Sequence, residues 1–161
     1  MSGMEIERKF LVRSDEYKRC AYKSYRIKQG YISSANGVTV RVRVRNHQGF
    51  LTIKGPSLDG GLSRYEFEKE ITLDEANSLF SLCEPGIIDK TRYLVDYEGF
   101  TFEVDEFYGD NEGLTVAEVE LKSVEEKPMM PPFIDREVTG DRRYYNSHLR
   151  CNPYCNWKEN V

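Results

Sequence analysis

Three charged side chains share one face of the first predicted strand, which runs from Met4 to Leu11. Glu5, Glu7 and Lys9 alternate there with other residues, so two carboxylates and an ammonium point the same way. Carboxylates can hold a divalent metal ion, and an ammonium can meet a phosphate. Exposed charge is also the rule for Glu and Lys. The strand alone therefore leaves open a metal-and-anion site and a face in contact with water.

Later strands repeat the pattern with groups of like charge. The acidic pairs are Glu5/Glu7, Glu66/Glu68 and Glu118/Glu120, and the basic groups are Arg41/Arg43/Arg45 and Lys90/Arg92. Like charges at positions i and i+2 lie about 7 Å apart on one strand face and repel each other. A polyphosphate could bind the bases, and a metal ion could bind the acids. The pairs therefore predict one site if the charged faces point inward, which periodicity does not decide.

The elements that must position these residues are strands joined mainly by short turns. Alternation predicts strands over residues 4–11, 24–31, 38–45, 50–54, 63–71, 87–97, 100–107 and 114–124. Helical spacing or capping predicts helices over residues 14–19, 73–80 and 140–149. No change in composition marks a linker, so we expect a single domain over residues 1–161. Its antiparallel strands would form an open sheet or a closed barrel.

Composition excludes several classes of protein. The formal net charge of −4 gives no reason to expect nucleic acid as a partner. No apolar run is long enough to span a membrane, and we find no signal peptide, so we expect a cytoplasmic protein without a membrane partner. The cysteines and histidines are too scattered for a zinc site and are expected to be reduced thiols and isolated imidazoles: Cys20, Cys83, Cys151, Cys155, His47 and His148.

The order of the charged motifs resembles that of a known family. Glu5-Ile-Glu7-Arg-Lys9 is similar to the Glu-x-Glu-x-Lys signature of the CYTH superfamily, the triphosphate tunnel metalloenzymes. Matching segments then follow along nearly the whole chain: Arg41-Val-Arg43, Leu51-Thr-Ile-Lys54, Arg64-Tyr-Glu66-Phe-Glu68, Lys90-Thr-Arg92-Tyr93, Glu103-Val-Asp105, Ala117-Glu118-Val-Glu120 and Arg143-Tyr144-Tyr145-Asn146. One departure is Phe133, where the family pattern leads us to expect Trp; this change should affect packing more than chemistry.

The resemblance implies a fold and a set of roles. The fold is α+β, mainly antiparallel β, with a closed eight-stranded barrel forming a tunnel, a few peripheral helices and inward charges. The implied metal ligands for Mg²⁺ or Mn²⁺ are Glu5, Glu7, Glu118, Glu120 and Asp105. The implied phosphate-binding residues are Lys9, Arg41, Arg43, Lys54, Lys90, Arg92 and Lys122. The implied catalytic residues are Lys9, Lys54, Glu68 and Asp105.

The expected activity is metal-dependent hydrolysis of a triphosphate, with inorganic tripolyphosphate as the expected substrate. Alternatives within the family are a class IV adenylyl cyclase acting on ATP and a thiamine triphosphatase. A non-catalytic polyphosphate-binding protein is a further alternative, although anion binding alone would not need the acids. A monomer and a homodimer both remain open. Arg26, Lys28, Arg45, Glu70 and Glu103 are weaker candidates that could simply face solvent.

Overall fold

Antiparallel strands make up most of the structure. The computed structural model describes residues 3–157. The strands in this part of the chain are β1 Gly3–Val12, β2 Lys23–Ser33, β3 Thr39–Arg45, β4 Gln48–Lys54, β5 Ser63–Ile71, β6 Ile88–Tyr97, β7 Phe100–Phe107, β8 Thr115–Glu120 and β9 Ile134–Glu137. The α-helices are α1 Tyr17–Cys20, α2 Leu73–Phe80 and α3 Asn146–Leu149, and the 3-10 turns are Ala35–Gly37, Asp59–Gly61, Gly109–Asn111, Arg142–Tyr144 and Tyr154–Asn156.

The sheet closes on itself because β1 has partners on both sides. Neighbouring strands follow the order β5-β4-β3-β2-β6-β7-β8-β1, and residues 3–6 of β1 also pair with residues 63–66 of β5. On its other side β1 pairs with β8, which places Lys9 opposite Glu118. Strand β9 adds to β1 outside this ring. The predicted mainly antiparallel fold with a closed eight-stranded barrel is therefore confirmed, whereas the single domain stays a prediction.

Helix α2 covers part of the outer face of the barrel at the residues where helical spacing predicts it. Its first turn is fixed by a capping box, in which Thr72 Oγ1 accepts from the Glu75 N–H at 3.0 Å and Glu75 Oε1 accepts from the Thr72 N–H at 2.9 Å. The buried Ala76 packs against Gly49 of β4, where a Cβ would lie 2.9 Å from the Ala76 methyl group. Among residues 3–157, no helix has the length and apolar character needed to cross a membrane.

A larger apolar cluster covers another part of the outer face. Its buried members are Phe10, Tyr17, Val95, Phe102, Val104, Ala117, Val119, Leu121, Phe133 and Ile134. The Tyr17 ring from α1 meets the Phe133 ring edge to face, with centroids 6.0 Å apart. Because Phe133 is 1% exposed, its contribution is packing, in agreement with the expectation for this departure from the family pattern.

A second apolar cluster fills one end of the barrel. The inward faces of β6, β7 and β8 become apolar there, and the C-terminal segment, residues 138–157, packs onto them. The cluster comprises Ile88, Phe107, Leu114 and Val116 together with Val138, Tyr144, Leu149 and Trp157. The rings of Tyr144 and Trp157 meet edge to face at 5.2 Å. The C-terminal segment therefore blocks this end of the barrel interior.

The C-terminal segment differs from the prediction. The single helix predicted over residues 140–149 is wrong: a 3-10 turn and α3 are separated by Tyr145, which is extended (φ −72°, ψ 133°). The extended residue turns consecutive side chains in different directions, so Tyr144 joins the apolar cluster while Tyr145 reaches the barrel interior. The strand predicted over residues 114–124 is shorter, and β9 was not predicted.

Candidate active site

The charged strand faces point into the barrel and surround a cavity of about 720 Å³. Twelve of the predicted site residues line it: Glu5, Glu7, Lys9, Arg41, Arg43, Lys54, Glu68, Lys90, Arg92, Glu118, Glu120 and Lys122. The remaining predicted residue, Asp105, lies behind the wall. The structure therefore chooses between the two faces that periodicity left open and brings nearly the whole predicted set together.

Strand β3 supplies arginines with more donors than the protein satisfies. Arg43 Nη2 donates to Glu68 Oε2 at 3.2 Å, and Arg41 Nη2 lies 3.8 Å from the same oxygen. The Thr52 hydroxyl donates to Glu68 as well, at 3.0 Å. Within the described residues, the buried Nε atoms of Arg41, Arg43 and Arg45 have no hydrogen-bond partner. Because unpaired buried donors are costly, these guanidinium groups are suited to an anion in the cavity.

Asp105 lies among cations, away from the other carboxylates. Its Oδ1 accepts from Arg92 Nε at 2.8 Å, and its Oδ2 accepts from Arg92 Nη2 at 2.9 Å and lies 2.7 Å from Lys90 Nζ. Burial alone would raise the pKa of Asp105, but Arg92 and Lys90 lower it below its ordinary value. Both oxygens are thus engaged by bases. Asp105 thus holds two of the cavity bases in place, and the metal-binding and catalytic roles implied for it stay predictions.

Carboxylates face one another between β1 and β8. Glu7 lies directly opposite Glu120 in the strand register, where two negative charges repel. Burial, followed by the carboxylates of Glu118 and Glu5, raises the pKa of Glu7 well above its ordinary value. Burial, followed by Glu103 and Glu5, raises the pKa of Glu120 to about 7. Either protons or a bound cation would relieve this repulsion.

Glu118, unlike Glu7 and Glu120, has a lowered pKa, which favours its charged form. Burial alone would raise its pKa, but Lys9, a hydrogen bond with Glu7 and the charge of Arg92 hold it well below its ordinary value. Arg92 Nη2 lies 3.7 Å from Glu118 Oε1. The raised pKa of Glu7 thus favours its protonated form beside a charged Glu118. A cation bound between the two carboxylates could replace the proton on Glu7.

The donor set fits a divalent metal ion in its chemistry. Glu5, Glu7, Glu118 and Glu120 face the cavity from adjacent strands, and oxygen ligands of this kind suit Mg²⁺ and Mn²⁺. Among residues 3–157, no three His, Cys, Asp or Glu side chains stand close enough together to hold an ion as they are. One reason is that Glu5 accepts from Lys54 Nζ at 3.0 and 3.1 Å. To bind a metal ion, Glu7 and Glu120 would therefore have to lose protons, and Glu5 would have to give up its contact with Lys54.

Proton competition gives the metal-free protein a testable pH dependence. The pKa values of Glu7 and Glu120 are raised, the latter to about 7, so these two groups hold more protons in the folded state than in the unfolded chain between about pH 4.5 and 7. Stability contributed by these groups is complete below that window and is lost as the pH rises through it. We expect the Tm in EDTA to fall from pH 5 to pH 7.5, and Mg²⁺ to raise the Tm more at pH 7.5. Thermal scans with and without Mg²⁺ measure both effects, and an equal Mg²⁺ shift at the two pH values would contradict this assignment.

Several cavity residues are absent from the predicted site. Arg64 Nε lies 3.6 Å from Glu5 Oε1, and Tyr145 and Asn146 reach the cavity from the C-terminal segment. The phase of Arg64 with its acidic neighbours on β5 was an available signal, whereas nothing in the periodicity pointed to the other two residues. The weaker candidates Arg45 and Glu103 line the cavity, as does Glu66 from the predicted acidic pair Glu66/Glu68, together with Tyr25 and Tyr31.

Three weaker candidates do not line the cavity: Glu70 of β5, which accepts from Gln48 Nε2 at 3.4 Å, and two residues of β2. Arg26 forms an exposed ion pair with Asp89, with Nε 2.7 Å from Oδ1, and Lys28 Nζ lies 5.1 Å from the centre of the Phe80 ring. These positions alternate with the inward residues of β2, so their side chains point outward. His47 is exposed in the turn between β3 and β4, as expected.

The fold and the site together define a class of protein. A closed antiparallel barrel that gathers paired acids and paired bases around one cavity is built to bind a polyanion with a cation. The family model described as the CYTH domain matches residues 3–145, and the chain belongs to this family. This confirms the resemblance inferred from the motifs. Membership implies dependence on a divalent metal ion.

Individual relatives cover nearly the whole chain. An inorganic triphosphatase from Acetivibrio thermocellus is 52% identical over 158 residues, which span 98% of this chain and 99% of that protein. An inorganic triphosphatase from Nitrosomonas europaea is 34% identical over 149 residues, spanning 90% and 95%. A crystal structure of an inorganic triphosphatase matches with a TM-score of 0.61 and 30% identity, covering 90% of this chain and 96% of that one. The chain thus matches these proteins over nearly its whole length, and it shares its fold with the crystal structure.

Proposed function

We propose that this protein hydrolyses inorganic tripolyphosphate to diphosphate and phosphate inside the barrel, with Mg²⁺ or Mn²⁺. The observation that carries the proposal is the cavity wall, where arginines and lysines from β1, β3, β4 and β6 face carboxylates from β1, β5 and β8. The 52% identity to an inorganic triphosphatase over nearly the full length supports the same activity. A polyphosphate chain presents charge along its length and matches a wall that is charged nearly all round.

The basic residues would bind and align the phosphates. The Nε donors of Arg41 and Arg43 have no hydrogen-bond partner among the described residues. Lys54 Nζ lies 3.0 Å from Glu5 Oε1 and 3.6 Å from Glu66 Oε2. The other bases in this role are Lys9, Lys90, Arg92 and Lys122. Because phosphoryl transfer depends mainly on positioning and on charge stabilisation, these cations would hold the chain in line and stabilise charge on the leaving diphosphate.

The acidic residues would hold the metal and orient water. Glu5, Glu7, Glu118 and Glu120 are the proposed metal ligands. A bound divalent ion would supply charge neutralisation at the phosphate oxygens. Glu68 lines the cavity, and hydrogen bonds from Thr52 and Arg43 fix its carboxylate; it would orient the attacking water. Asp105 would position Lys90 and Arg92.

The proposal also covers the cellular compartment and the partners of the protein. The four cysteines are free, and three of them are exposed, which fits the reducing cytoplasm. We propose a cytoplasmic enzyme that acts on a small soluble anion without nucleic acid or membrane as a partner. The choice between a monomer and a homodimer stays a prediction.

Phosphate release from a substrate panel tests the function. We expect the purified protein to release phosphate from tripolyphosphate with Mg²⁺ or Mn²⁺, to lose this activity in EDTA and to turn over ATP and thiamine triphosphate at least tenfold more slowly. Cyclic AMP formed from ATP would instead indicate a cyclase, and faster release from thiamine triphosphate would indicate a thiamine triphosphatase. Tight tripolyphosphate binding without turnover under any metal would indicate a binding protein.

A further inference from the structure

Two consecutive residues of the C-terminal segment contact the bases at the blocked end of the cavity. The Tyr145 ring lies 5.0 Å from Lys9 Nζ and 5.7 Å from the Arg64 guanidinium carbon. The Asn146 Oδ1 accepts from Lys90 Nζ at 3.0 Å. Both side chains line the same cavity as the bases that they touch. The segment thus supplies part of the surroundings of three cavity cations.

The Lys90 ammonium has three donors, and the structure assigns two of them. One meets Asp105 at 2.7 Å and another meets Asn146, while the lysine is 1% exposed. An ammonium on a flexible four-carbon stem has no preferred direction unless its partners give it one. Asp105 and Asn146 together therefore fix the remaining donor, which can face a phosphate in the cavity.

The Tyr145 ring packs against Lys9 and Arg64, whose polar contacts with the protein are long: Lys9 Nζ donates to the Tyr144 carbonyl oxygen at 3.5 Å, and Arg64 Nε lies 3.6 Å from Glu5 Oε1. A cation over a tyrosine ring is attracted without forming a directional hydrogen bond, so its N–H donors stay available to an anion. A carboxylate in the same place would occupy those donors and repel a phosphate. The ring position suits a site that must hold cations ready for a polyanion.

Close packing fixes the C-terminal segment at the point where Tyr145 and Asn146 reach the cavity. Gly61 and Gly140 both have positive φ, and a Cβ on Gly61 would lie 2.5 Å from the Gly140 Cα and 2.9 Å from the Tyr145 hydroxyl oxygen. On the other side, the apolar cluster holds Tyr144 and Leu149. Tyr145 and Asn146 thus sit between two rigid contacts, which gives their side chains fixed positions.

We propose that Tyr145 and Asn146 are positioning residues for phosphate binding, Tyr145 acting through Lys9 and Arg64 and Asn146 acting through Lys90. The assignment rests on the proposed function for its substrate, tripolyphosphate. It makes the C-terminal segment part of the active site in addition to its packing role. The hydroxyl of Tyr145 is not required, because the cations contact the ring.

Matched variants separate positioning from packing. Tyr145→Leu removes the ring and Tyr145→Phe keeps it; Asn146→Ala removes the acceptor; the exposed Arg142→Ala, on the same segment, is the control. We expect kcat/KM for tripolyphosphate with Mg²⁺ to fall about tenfold in Tyr145→Leu and in Asn146→Ala, and to stay within about twofold in Tyr145→Phe and the control. The Tm of all four variants should stay within a few degrees of the wild type.

A second measurement does not need turnover. In EDTA, tripolyphosphate should raise the Tm of the wild type and of Tyr145→Phe, and it should raise that of Tyr145→Leu and of Asn146→Ala less. Wild-type protein that is stabilised but inactive would reject the proposed hydrolysis and leave the positioning inference intact. Unchanged stabilisation and turnover in Tyr145→Leu and Asn146→Ala, or equal losses in Tyr145→Phe and Tyr145→Leu, would overturn the inference.

Discussion

Replacing Glu7 by glutamine should lower kcat/KM for tripolyphosphate on the order of a thousandfold without destabilising the metal-free protein. The loss follows from the removal of a proposed metal ligand, since a bound metal contributes several kcal/mol of charge stabilisation in such reactions. The retained stability follows from the setting of Glu7. Burial, followed by the carboxylates of Glu118 and Glu5, raises the pKa of Glu7, so the neutral amide removes a charge that this setting disfavours. The Tm in EDTA should therefore equal or exceed that of the wild type.

The control is Glu112→Gln, the same chemical change in an exposed loop residue. Wild-type turnover is expected there, together with a normal rise of Tm on addition of Mg²⁺, while that rise should shrink in Glu7→Gln. An active Glu7→Gln variant would remove Glu7 from the metal site. A variant that loses activity and stability together would show that the carboxylate is needed for the fold and would contradict the argument from repulsion.

Asp105→Asn should be the most destabilising single change among the charged residues of the barrel. The variant keeps the shape of the side chain but leaves Lys90 and Arg92 without their nearest negative charge in a buried setting. Removal of one partner from a buried ion pair costs about 3–5 kcal/mol. Arg92 keeps weaker contacts with Glu103 at 3.5 Å and Glu118 at 3.7 Å, which limits the loss to the lower part of that range.

Denaturant unfolding of Asp105→Asn and of Glu106→Gln measures this cost. Glu106 is the next residue on β7 and points outward, where its Oε2 lies 2.9 Å from the exposed Lys18 ammonium in a pair that water screens; the same oxygen accepts from the Tyr17 hydroxyl at 2.7 Å, and a glutamine keeps an oxygen for that bond. The Asp105 variant should show the lower midpoint by a wide margin. Similar midpoints for the two variants would mean that the cluster of Asp105, Lys90 and Arg92 is not a stabilising one.

The strands and their charged faces could be predicted because both follow from a period of two residues. Helix α2 could be predicted as well, since its capping box and apolar spacing are local signals. The direction of the charged faces could not be derived from periodicity, because a strand face in water has the same period as one inside a barrel. The pairing of β1 with β5 decides it, and that contact joins distant parts of the chain. The family resemblance, and not the periodicity, predicted that the charged faces point inward.

The surroundings of Asp105, Tyr145 and Asn146 could not be predicted from spacing, for a common physical reason. Asp105 is in phase with Glu103, which made it look like another metal carboxylate, but the register between β6 and β7 puts it opposite Arg92. Tyr145 and Asn146 carry no periodic signal, because an extended residue between two short helical turns brings them to the cavity. Both outcomes depend on cross-strand register and on the path of the chain after β9, and neither is encoded in local spacing.

The position of β1 between β5 and β8 also has a consequence for how the chain acquires its structure. The strand that is synthesised first must wait for residues 63–66 on one side and for residues 115–120 on the other before the ring can close. Such long-range pairing carries a large loop-closure cost and is typical of slow folding. A nascent chain that ends before β8 leaves strand edges unpaired, which exposes it to aggregation. The cavity thus forms only after all the residues up to Glu120 have left the ribosome.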